Sequence, residues 1–214
     1  MVQWVVEAAK KSGVAERVVV ATPDDEIMQA CHSFGAEAIM TSLDHPSGTD
    51  RIAEVSESID AEVYVNVQGD EPLIDPHDIT VCAETLLADP TAQMASLYGV
   101  CDPSDLANPA VVKVVTDLGG FALYFSRFAV PYIRNAGHIE VKRHFGVYAY
   151  RKRAVQQFAS WKPTPLELTE GLEQLRFLEH GVRIKMAKGK GSELAVDTPG
   201  QADEVRAVLA ARSG

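Results

Sequence analysis

The sequence is poor in cysteine, and this scarcity limits both its compartment and its metal chemistry. It contains three cysteines, Cys31, Cys82 and Cys101, and no two of them form a Cys-x-x-Cys pair. An odd, widely spaced set argues against a disulfide framework and against a structural zinc site. Such cysteine usage is typical of a reduced compartment, so we expect a cytoplasmic protein.

Basic residues and long apolar runs are also scarce. The chain carries 20 Lys and Arg against 30 Asp and Glu, a formal net charge of −10. Nucleic-acid binding depends mainly on clustered Lys and Arg, so this balance argues against a nucleic-acid surface but not against a single nucleotide. No apolar run approaches the ~18 residues of a membrane span and no signal peptide is visible, so we expect no membrane partner.

The remaining composition is that of an ordinary globular protein, with 46% hydrophobic and 23% charged residues. A chain of 214 residues can bury one substantial core, which predicts a single domain over 1–214. Predicted helices alternate with predicted strands, as is typical of an α/β, doubly wound, mixed and mostly parallel sheet. The strands are predicted at 17–21, 37–41, 63–67, 94–100, 144–150 and 182–187, and the helices at 1–12, 24–34, 48–59, 75–89, 164–180 and 197–211.

One segment interrupts this alternation. Residues 111–115 and 121–125 flank a Thr-Asp-Leu-Gly-Gly turn, a pattern that predicts a β-hairpin. We therefore interpret 101–143 as an excursion from the main sheet. Because such a hairpin has few obvious partners in that sheet, we expect it to pair with a second copy in a homodimer.

The stretch 63–72 carries the clearest functional signal. A short β-branched run ends in Gln-Gly-Asp-Glu-Pro. Open α/β sheets bind ligands beyond the carboxyl ends of their strands, where Asp70 would project a carboxylate. A carboxylate there can hold Mg²⁺, which in turn holds phosphate oxygens. An ordinary polar turn after a strand explains the same pattern.

Two further segments could address ligands. Ser47 or Thr49 can cap a helix in a loop whose backbone N–H groups could meet an anion or a base edge, although an ordinary capped loop explains it equally. His144 and Tyr148 share one face of a predicted strand, with Gly146 leaving room between them. The alternative is a structural histidine.

The last quarter of the chain adds weaker signals. Glu173 and Gln174 lie beside the leucine stripe of the helix predicted at 164–180 and could reach a sugar, or form a solvated face. Residues 188–192 look suited to phosphate but lack the spacing of a P-loop, so we expect a mobile loop. Asp197 is a plausible N-cap and the best candidate for a second metal carboxylate.

Six segments, in this order and at this spacing, closely resemble the 3-deoxy-manno-octulosonate cytidylyltransferase (CMP-Kdo synthetase) family. The resemblance covers nearly the whole chain. That family is similar in turn to CMP-sialic acid synthetases and to nucleotidyltransferases of the glycosyltransferase-A-like fold. The segments are Ser-Gly-Thr-Asp-Arg (47–51), Gln-Gly-Asp-Glu-Pro (68–72), Tyr-Phe-Ser-Arg (124–127), His-Phe-Gly-Val-Tyr (144–148), Leu-Glu-Gln-Leu-Arg (172–176) and Val-Asp-Thr-Pro (196–199).

The resemblance implies a reaction of CTP with the eight-carbon sugar acid 3-deoxy-manno-octulosonate (Kdo), giving CMP-Kdo and pyrophosphate for lipopolysaccharide assembly. It implies Mg²⁺ held by Asp70 and Asp197. The nucleotide would lie along Ser47, Gly48, Thr49, Arg51, Gln68 and Gly69. The sugar pocket would be lined by Arg127, His144, Tyr148, Glu173 and Gln174, with Arg127 on the sugar carboxylate because its fork matches a carboxylate bidentately.

The chain departs from the family pattern at its start. The family begins with a strand and a triphosphate loop of the form Ala-Arg-x-x-Ser-x-Arg-Leu-Pro-Gly-Lys, and Met1 falls where the family is already in its first helix. We therefore expect the strands at 17–21 and 63–67 to lack the strand between them, and the chain alone to aggregate. Two alternatives stay open: a cytidylyltransferase for another acidic sugar such as a sialic acid, and a non-catalytic protein that keeps the sugar site.

Overall fold

The structure is a computed structural model that describes residues 1–135, 137–192, 196 and 198–212. Its helices are α1 (Val2–Ser12), α2 (Asp25–Ser33), α3 (Gly48–Ser58), α4 (Pro76–Ala88), α5 (Lys152–Ser160), α6 (Pro165–Glu170), α7 (Gln174–Glu179) and α8 (Pro199–Arg212). Its strands are β1 (Val19–Thr22), β2 (Glu37–Met40), β3 (Val63–Asn66), β4 (Met94–Val100), β5 (Lys113–Thr116), β6 (Ala122–Ser126), β7 (Lys142–Arg151) and β8 (Ile184–Lys188).

The long strand β7 is the central strand of a mixed sheet ordered β6-β5-β7-β4-β8. Strand β4 pairs along one edge of β7, and β3 pairs antiparallel with its other edge. Strands β3, β4 and β8 therefore run in one direction and β7 runs against them. The register places Asn66, the last residue of β3, opposite Tyr148. This pairing brings the end of β3 beside the middle of β7.

A bulge in β7 shapes the same region. The partner of Ser96 is Tyr148, whereas the partner of the next residue, Leu97, is Phe145, so β7 has extra residues at this point. Bulges are common beside active sites because they re-aim side chains. The Ser96 hydroxyl lies 2.8 Å from the carbonyl oxygen of Val147 and satisfies that acceptor.

The first two strands form a separate, parallel two-stranded sheet. Within the described ranges no pairing joins β1 to β3. Helix α3 packs against both β1 and β3 and so joins the small sheet to the main one. Both strands of the small sheet are only partly buried, unlike the core strands of the main sheet.

The hairpin β5–β6 is part of the main sheet, which corrects the expectation that it has few partners there. Lys113 pairs with Arg143 and Val114 pairs with Lys142, so β5 continues the edge of β7 beyond β3. The pairing was missed because it joins strands far apart in the sequence, and periodicity reports only on neighbours.

The helix predicted at 164–180 is two helices, α6 and α7. The chain turns at Gly171, which has a φ of 63°. This left-handed conformation ends α6 and is open to glycine at little cost. Helix α5 was not predicted, although Ala154, Val155 and Phe158 are fully buried at helical spacing.

The loop 188–192, expected to be mobile, is held against helix α4. The Asp78 carboxylate accepts hydrogen bonds from the N–H groups of Lys190 (2.9 Å) and Gly191 (2.7 Å). The Lys190 ammonium lies 2.7 Å from Asp75 Oδ2. The two acids that start α4 therefore fix this loop, and its lysine at 190 is already paired.

The core fills both faces of the main sheet. One apolar cluster lies between the sheet and α5 and α7, and includes Tyr150, Phe158 and Phe177. The other lies under α4 and includes the buried Cys82. All three cysteines are buried and free. In the described part of the chain, every helix is too short or too polar to cross a membrane.

Candidate active site

The site lies where β3 ends and α3 begins. Both places carry residues that were predicted to bind the nucleotide. Ser47 is the N-cap of α3 and accepts a hydrogen bond from the Asp50 N–H at 3.3 Å. A Cβ atom on Gly48 would lie 3.5 Å from Asn66 Nδ2 and 3.5 Å from Gln68 Nε2. The predicted residues Gly48 and Gln68 are therefore adjacent. We call Gly48, Asn66 and Gln68 the amide patch.

Thr49 and Glu173 connect this patch to the predicted sugar side. The Thr49 hydroxyl donates to Glu173 Oε1 at 3.0 Å and lies 3.0 Å from the Tyr150 hydroxyl. Burial raises the pKa of Glu173, and hydrogen bonds from Ser47 and Thr49 oppose that shift. Thr49 has no exposed surface, so its side chain links two walls of the site and does not face solvent.

Asp70 follows the amide patch in an exposed turn. Its carbonyl accepts a hydrogen bond from the Val196 N–H at 2.9 Å. Val196 immediately precedes Asp197 in the sequence, and Asp197 itself lies outside the described residues. Among the residues that are described, no group of three or more His, Cys, Asp or Glu side chains could hold a metal ion.

Glu71 points inward where Asp70 points outward. Burial, followed by the charge of Asp70, raises the pKa of Glu71 to about 7, while Arg143 opposes the shift. A Cβ on Gly146 would lie 3.4 Å from Glu71 Oε1, so the carboxyl group lies directly over β7. The turn after β3 thus carries one exposed and one half-buried acid.

A cavity of about 290 Å³ opens beside Glu71, close to the lower end of the ~300–1,000 Å³ range of small-molecule sites. Its walls come from the turn after β3, the segment before β5, strand β7 and the start of α7. It is lined by Glu71, Ala110, Val111, Val112, Arg143, His144, Phe145, Gly146, Tyr148, Leu172, Gln174 and Ser192. The predicted sugar residues His144, Tyr148 and Gln174 are among them.

His144 is a neutral ring in this cavity. Burial lowers its pKa to about 3. Its Nε2 lies 2.9 Å from the Ser96 hydroxyl, the group that also satisfies the bulge in β7. The ring centroid is 5.4 Å from that of Tyr148. His144 can therefore exchange hydrogen bonds with a ligand but does not offer it a positive charge.

Gln174 is the most buried polar residue of the cavity, with 2% of its surface exposed. Its Oε1 accepts a hydrogen bond from the Tyr148 hydroxyl at 3.4 Å. No described residue accepts a hydrogen bond from its Nε2. A buried donor in this state costs roughly 1–3 kcal/mol unless a ligand completes it.

Two predicted site residues have other contacts. Arg51 donates to the Thr41 hydroxyl at 3.0 Å and to the Ser42 carbonyl at 2.8 Å, and so holds the loop before α3. Arg51 stays a prediction as a nucleotide contact.

Arg127 is outside the cavity lining. Its Nε donates to the Glu170 carbonyl at 2.7 Å, and its two terminal nitrogens donate to the carbonyls of Pro109 (3.0 Å) and Gly171 (3.3 Å). The guanidinium therefore clamps the segments that precede two cavity walls, 110–112 and Leu172. Its assignment to the sugar carboxylate stays a prediction.

Sequence reasoning missed two residues that the fold brings into the site. Asn66 ends β3 in the amide patch, is 6% exposed, and its Nδ2 has no partner among the described residues. Arg143 lines the cavity from β7. Asn66 could have been found from the sequence, because it lies near the end of the predicted strand, two residues before Gln68. Arg143 gave no signal, because strand alternation puts it on the face opposite His144.

Comparison with known proteins gives consistent matches. A family model described as "Cytidylyltransferase" matches residues 1–184. The chain is 49% identical to a 3-deoxy-manno-octulosonate cytidylyltransferase of Pseudomonas fluorescens, over 99% of the chain and 88% of that relative. It is 46% identical to the protein of the same name from Koribacter versatilis, over 100% of the chain and 81% of the relative.

Solved structures agree. A CMP:2-keto-3-deoxy-manno-octonic acid synthetase complexed with CTP superposes with a TM-score of 0.95 at 39% identity, covering 99% of the chain and 88% of that structure. The inositol-1-phosphate CTP transferase from T. maritima has a TM-score of 0.62 at 15% identity, covering 94% and 77%, and so shares the fold.

The mixed α/β sheet, with a polar site beyond the end of β3, defines a nucleotidyltransferase. The family model narrows this class to the cytidylyltransferases. The chain belongs to the 3-deoxy-manno-octulosonate cytidylyltransferase family.

Proposed function

We propose that this chain transfers the cytidylyl group of CTP to Kdo, giving CMP-Kdo and pyrophosphate. One observation carries the proposal beyond family membership. A Cβ atom on Gly146, which lines the cavity of about 290 Å³, would lie 3.9 Å from Cγ of Gln68, so the amide patch borders the cavity. The Thr49–Glu173 hydrogen bond joins the neighbours of Gly48 and of Gln174. Amides suit a base or ribose, and a polar cavity with a buried amide donor suits a sugar acid.

The reaction requires the anomeric hydroxyl of the sugar to attack the α-phosphorus in line with the departing pyrophosphate. Positioning and charge neutralisation supply most of the catalysis in such transfers. The amide patch would hold the nucleotide, and Tyr148 with Gln174 would hold the sugar. Neutral His144 would orient a sugar hydroxyl. The hydrogen bond from Thr49 to the Glu173 carboxylate would hold the nucleotide-binding and sugar-binding parts of the site in a fixed relative position.

Asp70 and Asp197 would hold Mg²⁺. The donor chemistry fits, because Asp70 offers exposed carboxylate oxygens and Mg²⁺ binds through one or two carboxylates together with substrate phosphates. The hydrogen bond between Val196 and Asp70 supports the pairing with the next residue in the sequence. When bound, the ion would neutralise phosphate charge and polarise the α-phosphate.

We further propose a cytoplasmic homodimer that supplies lipopolysaccharide assembly. Free, buried cysteines support a reducing compartment. The segment 101–143 carries exposed apolar side chains that support the dimer, namely Phe128 (78% exposed), Tyr132 (88%) and Ile139 (54%).

The decisive experiment measures pyrophosphate release from CTP and Mg²⁺ with Kdo or with sialic acid as acceptor. We expect release with Kdo and little with sialic acid. A preference for sialic acid would mean that the substrate of this chain is an acidic sugar other than Kdo. Binding of Kdo without any pyrophosphate release would instead support a non-catalytic sugar-binding protein.

A further inference from the structure

A sugar acid brings a carboxylate into the cavity, and the described lining residues include one side chain with a permanent positive charge. Among the described lining residues the basic side chains are Arg143 and His144. His144 is neutral because burial lowers its pKa to about 3. A carboxylate in this cavity therefore meets one cation, the guanidinium of Arg143.

Arg143 also has unused hydrogen-bonding capacity. Its Nε is buried, and no described residue accepts a hydrogen bond from it. Its guanidinium carbon lies 5.3 Å from the centre of the Phe145 ring, which supports one face of the group. In the described part of the chain Arg143 forms no ion pair.

Two other cations close to the cavity walls, Arg127 and Lys113, are occupied by backbone carbonyls. Arg127 donates to three carbonyls. The Lys113 ammonium, fully buried, donates to the carbonyls of Asn108 (2.9 Å), Val111 (2.6 Å) and Arg127 (2.8 Å). Both side chains hold the walls that the cavity needs, so moving either onto a ligand would break those contacts.

A second unpartnered donor lies in the same cavity. Gln174 is 2% exposed and its Nε2 is unpaired among the described residues, while its Oε1 is fixed by the Tyr148 hydroxyl. Because that contact orients the amide, its nitrogen is held as a donor. One guanidinium and one amide N–H₂ in a single cavity form a donor set for an anion with two oxygen acceptors.

We propose that Arg143, together with Nε2 of Gln174, binds the carboxylate of the sugar acid and makes the enzyme specific for acidic sugars. The inference deepens the proposed function and rests on it. Arg143 is the specificity-determining residue, and Arg127 is a positioning residue that clamps the cavity walls. The competing explanation is that Arg143 only balances the charge of Glu71 across the cavity.

The test combines removal of the Arg143 guanidinium from the protein with removal of the carboxylate charge from the ligand. Dissociation constants of Kdo and of its carboxamide, in which CONH₂ replaces the carboxylate, are measured calorimetrically for the wild type and for Arg143→Gln. We expect the wild type to prefer Kdo by about 10- to 100-fold, since hydrogen bonds to charged groups are the strong ones. Arg143→Gln should lose most of that preference while carboxamide and CTP affinities change by less than about 3-fold.

Two matched variants complete the design. Lys142→Gln removes the same charge from the neighbouring residue, whose ammonium contacts Thr116 and the Tyr98 ring, and should keep the full preference for Kdo. Arg127→Gln should weaken both ligands alike and keep the preference. Arg143→Lys retains the positive charge but lacks the planar pair of guanidinium donors, so it should give an intermediate preference for Kdo. This variant replaces Arg143→Gln if the glutamine variant does not fold.

The outcomes separate the two proposals. An unchanged preference in Arg143→Gln would overturn the inference and leave the proposed function standing, as would loss of the preference in Arg127→Gln alone. Equal weakening of both ligands by Arg143→Gln would assign the residue to charge balance with Glu71. A wild type that binds no sugar acid would overturn both proposals.

Discussion

Unpartnered polar atoms are concentrated at this site. In the described part of the chain, four buried side-chain nitrogen or oxygen atoms lack a hydrogen-bond partner, and three of them belong to Asn66, Arg143 and Gln174. Each such atom costs roughly 1–3 kcal/mol in the free protein. A fold tolerates this cost where a ligand supplies the missing partner, so we predict that these atoms contact substrate.

Asp70 provides the first prediction at the residue scale. Asp70→Asn removes an anionic ligand from a hard cation, so we expect turnover to fall by at least about 100-fold at limiting Mg²⁺ with no change in melting temperature. Pyrophosphate release is measured over a range of Mg²⁺ concentrations. Asp25→Asn, an exposed acid in α2, is the control and should remain fully active. Near wild-type turnover in Asp70→Asn would remove Asp70 from the metal site.

His144 provides a prediction about pH. Burial lowers its folded pKa to about 3, below the value of 6.5 expected in the unfolded chain. The unfolded state therefore binds more protons between these values, and the contribution of His144 to stability is present above pH 6.5 and lost as pH falls. Relative to His144→Gln, the wild type should lose up to about 1.4 kcal/mol per pH unit in that range.

Urea denaturation at pH 7 and pH 5.5 measures this difference. Glu71, whose pKa is raised to about 7, is present in both proteins, so its contribution cancels in the comparison. Equal changes in unfolding free energy for wild type and His144→Gln would mean that His144 titrates normally in the folded protein.

At the scale of single elements, the loop 188–192 depends on one close contact. Gly191 has a φ of 79°, and a Cβ there would lie 2.2 Å from Cζ of Phe145. Gly181 has a similar φ of 74°, but a Cβ there would meet nothing within 4 Å. These two glycines separate the cost of backbone strain from the cost of the clash.

We predict that Gly191→Ala destabilises the protein by about 1–3 kcal/mol more than Gly181→Ala, because it adds overpacking to the same strain. Hydrogen exchange should also accelerate at the amides of Lys190 and Gly191, which donate to Asp78. Equal effects of the two substitutions would show that Phe145 yields and that the loop is held by Asp78 alone.

At the scale of the whole molecule, the exposed apolar side chains of 101–143 predict self-association. Phe128→Glu combined with Tyr132→Glu should convert a dimer into a monomer, because each places an unpaired charge in an apolar interface. Leu43→Glu, equally apolar and 80% exposed but outside this segment, is the control. Analytical ultracentrifugation at micromolar concentration measures the result. A dimer that survives the double substitution would place the interface elsewhere.

The sequence by itself determined the features that depend on neighbouring residues. The strand before Gln-Gly-Asp-Glu-Pro, the Ser47 cap of α3 and the order of the family segments could all be read locally. Hydrophobic periodicity and capping involve residues one to four positions apart, so they are visible without a fold. The grouping of His144 with Tyr148 followed from strand alternation, whereas Gln68 and Gly48 were grouped only by the family resemblance.

Only the tertiary structure decided which cation faces the cavity. Arg127 is bound to the carbonyl of Gly171, 44 residues away, and this contact removes it from the lining. Arg143, on a strand that pairs with β5 and β4, lines the cavity instead. Contacts between distant segments depend on how strands and helices pack, and sequence spacing carries no information about that packing.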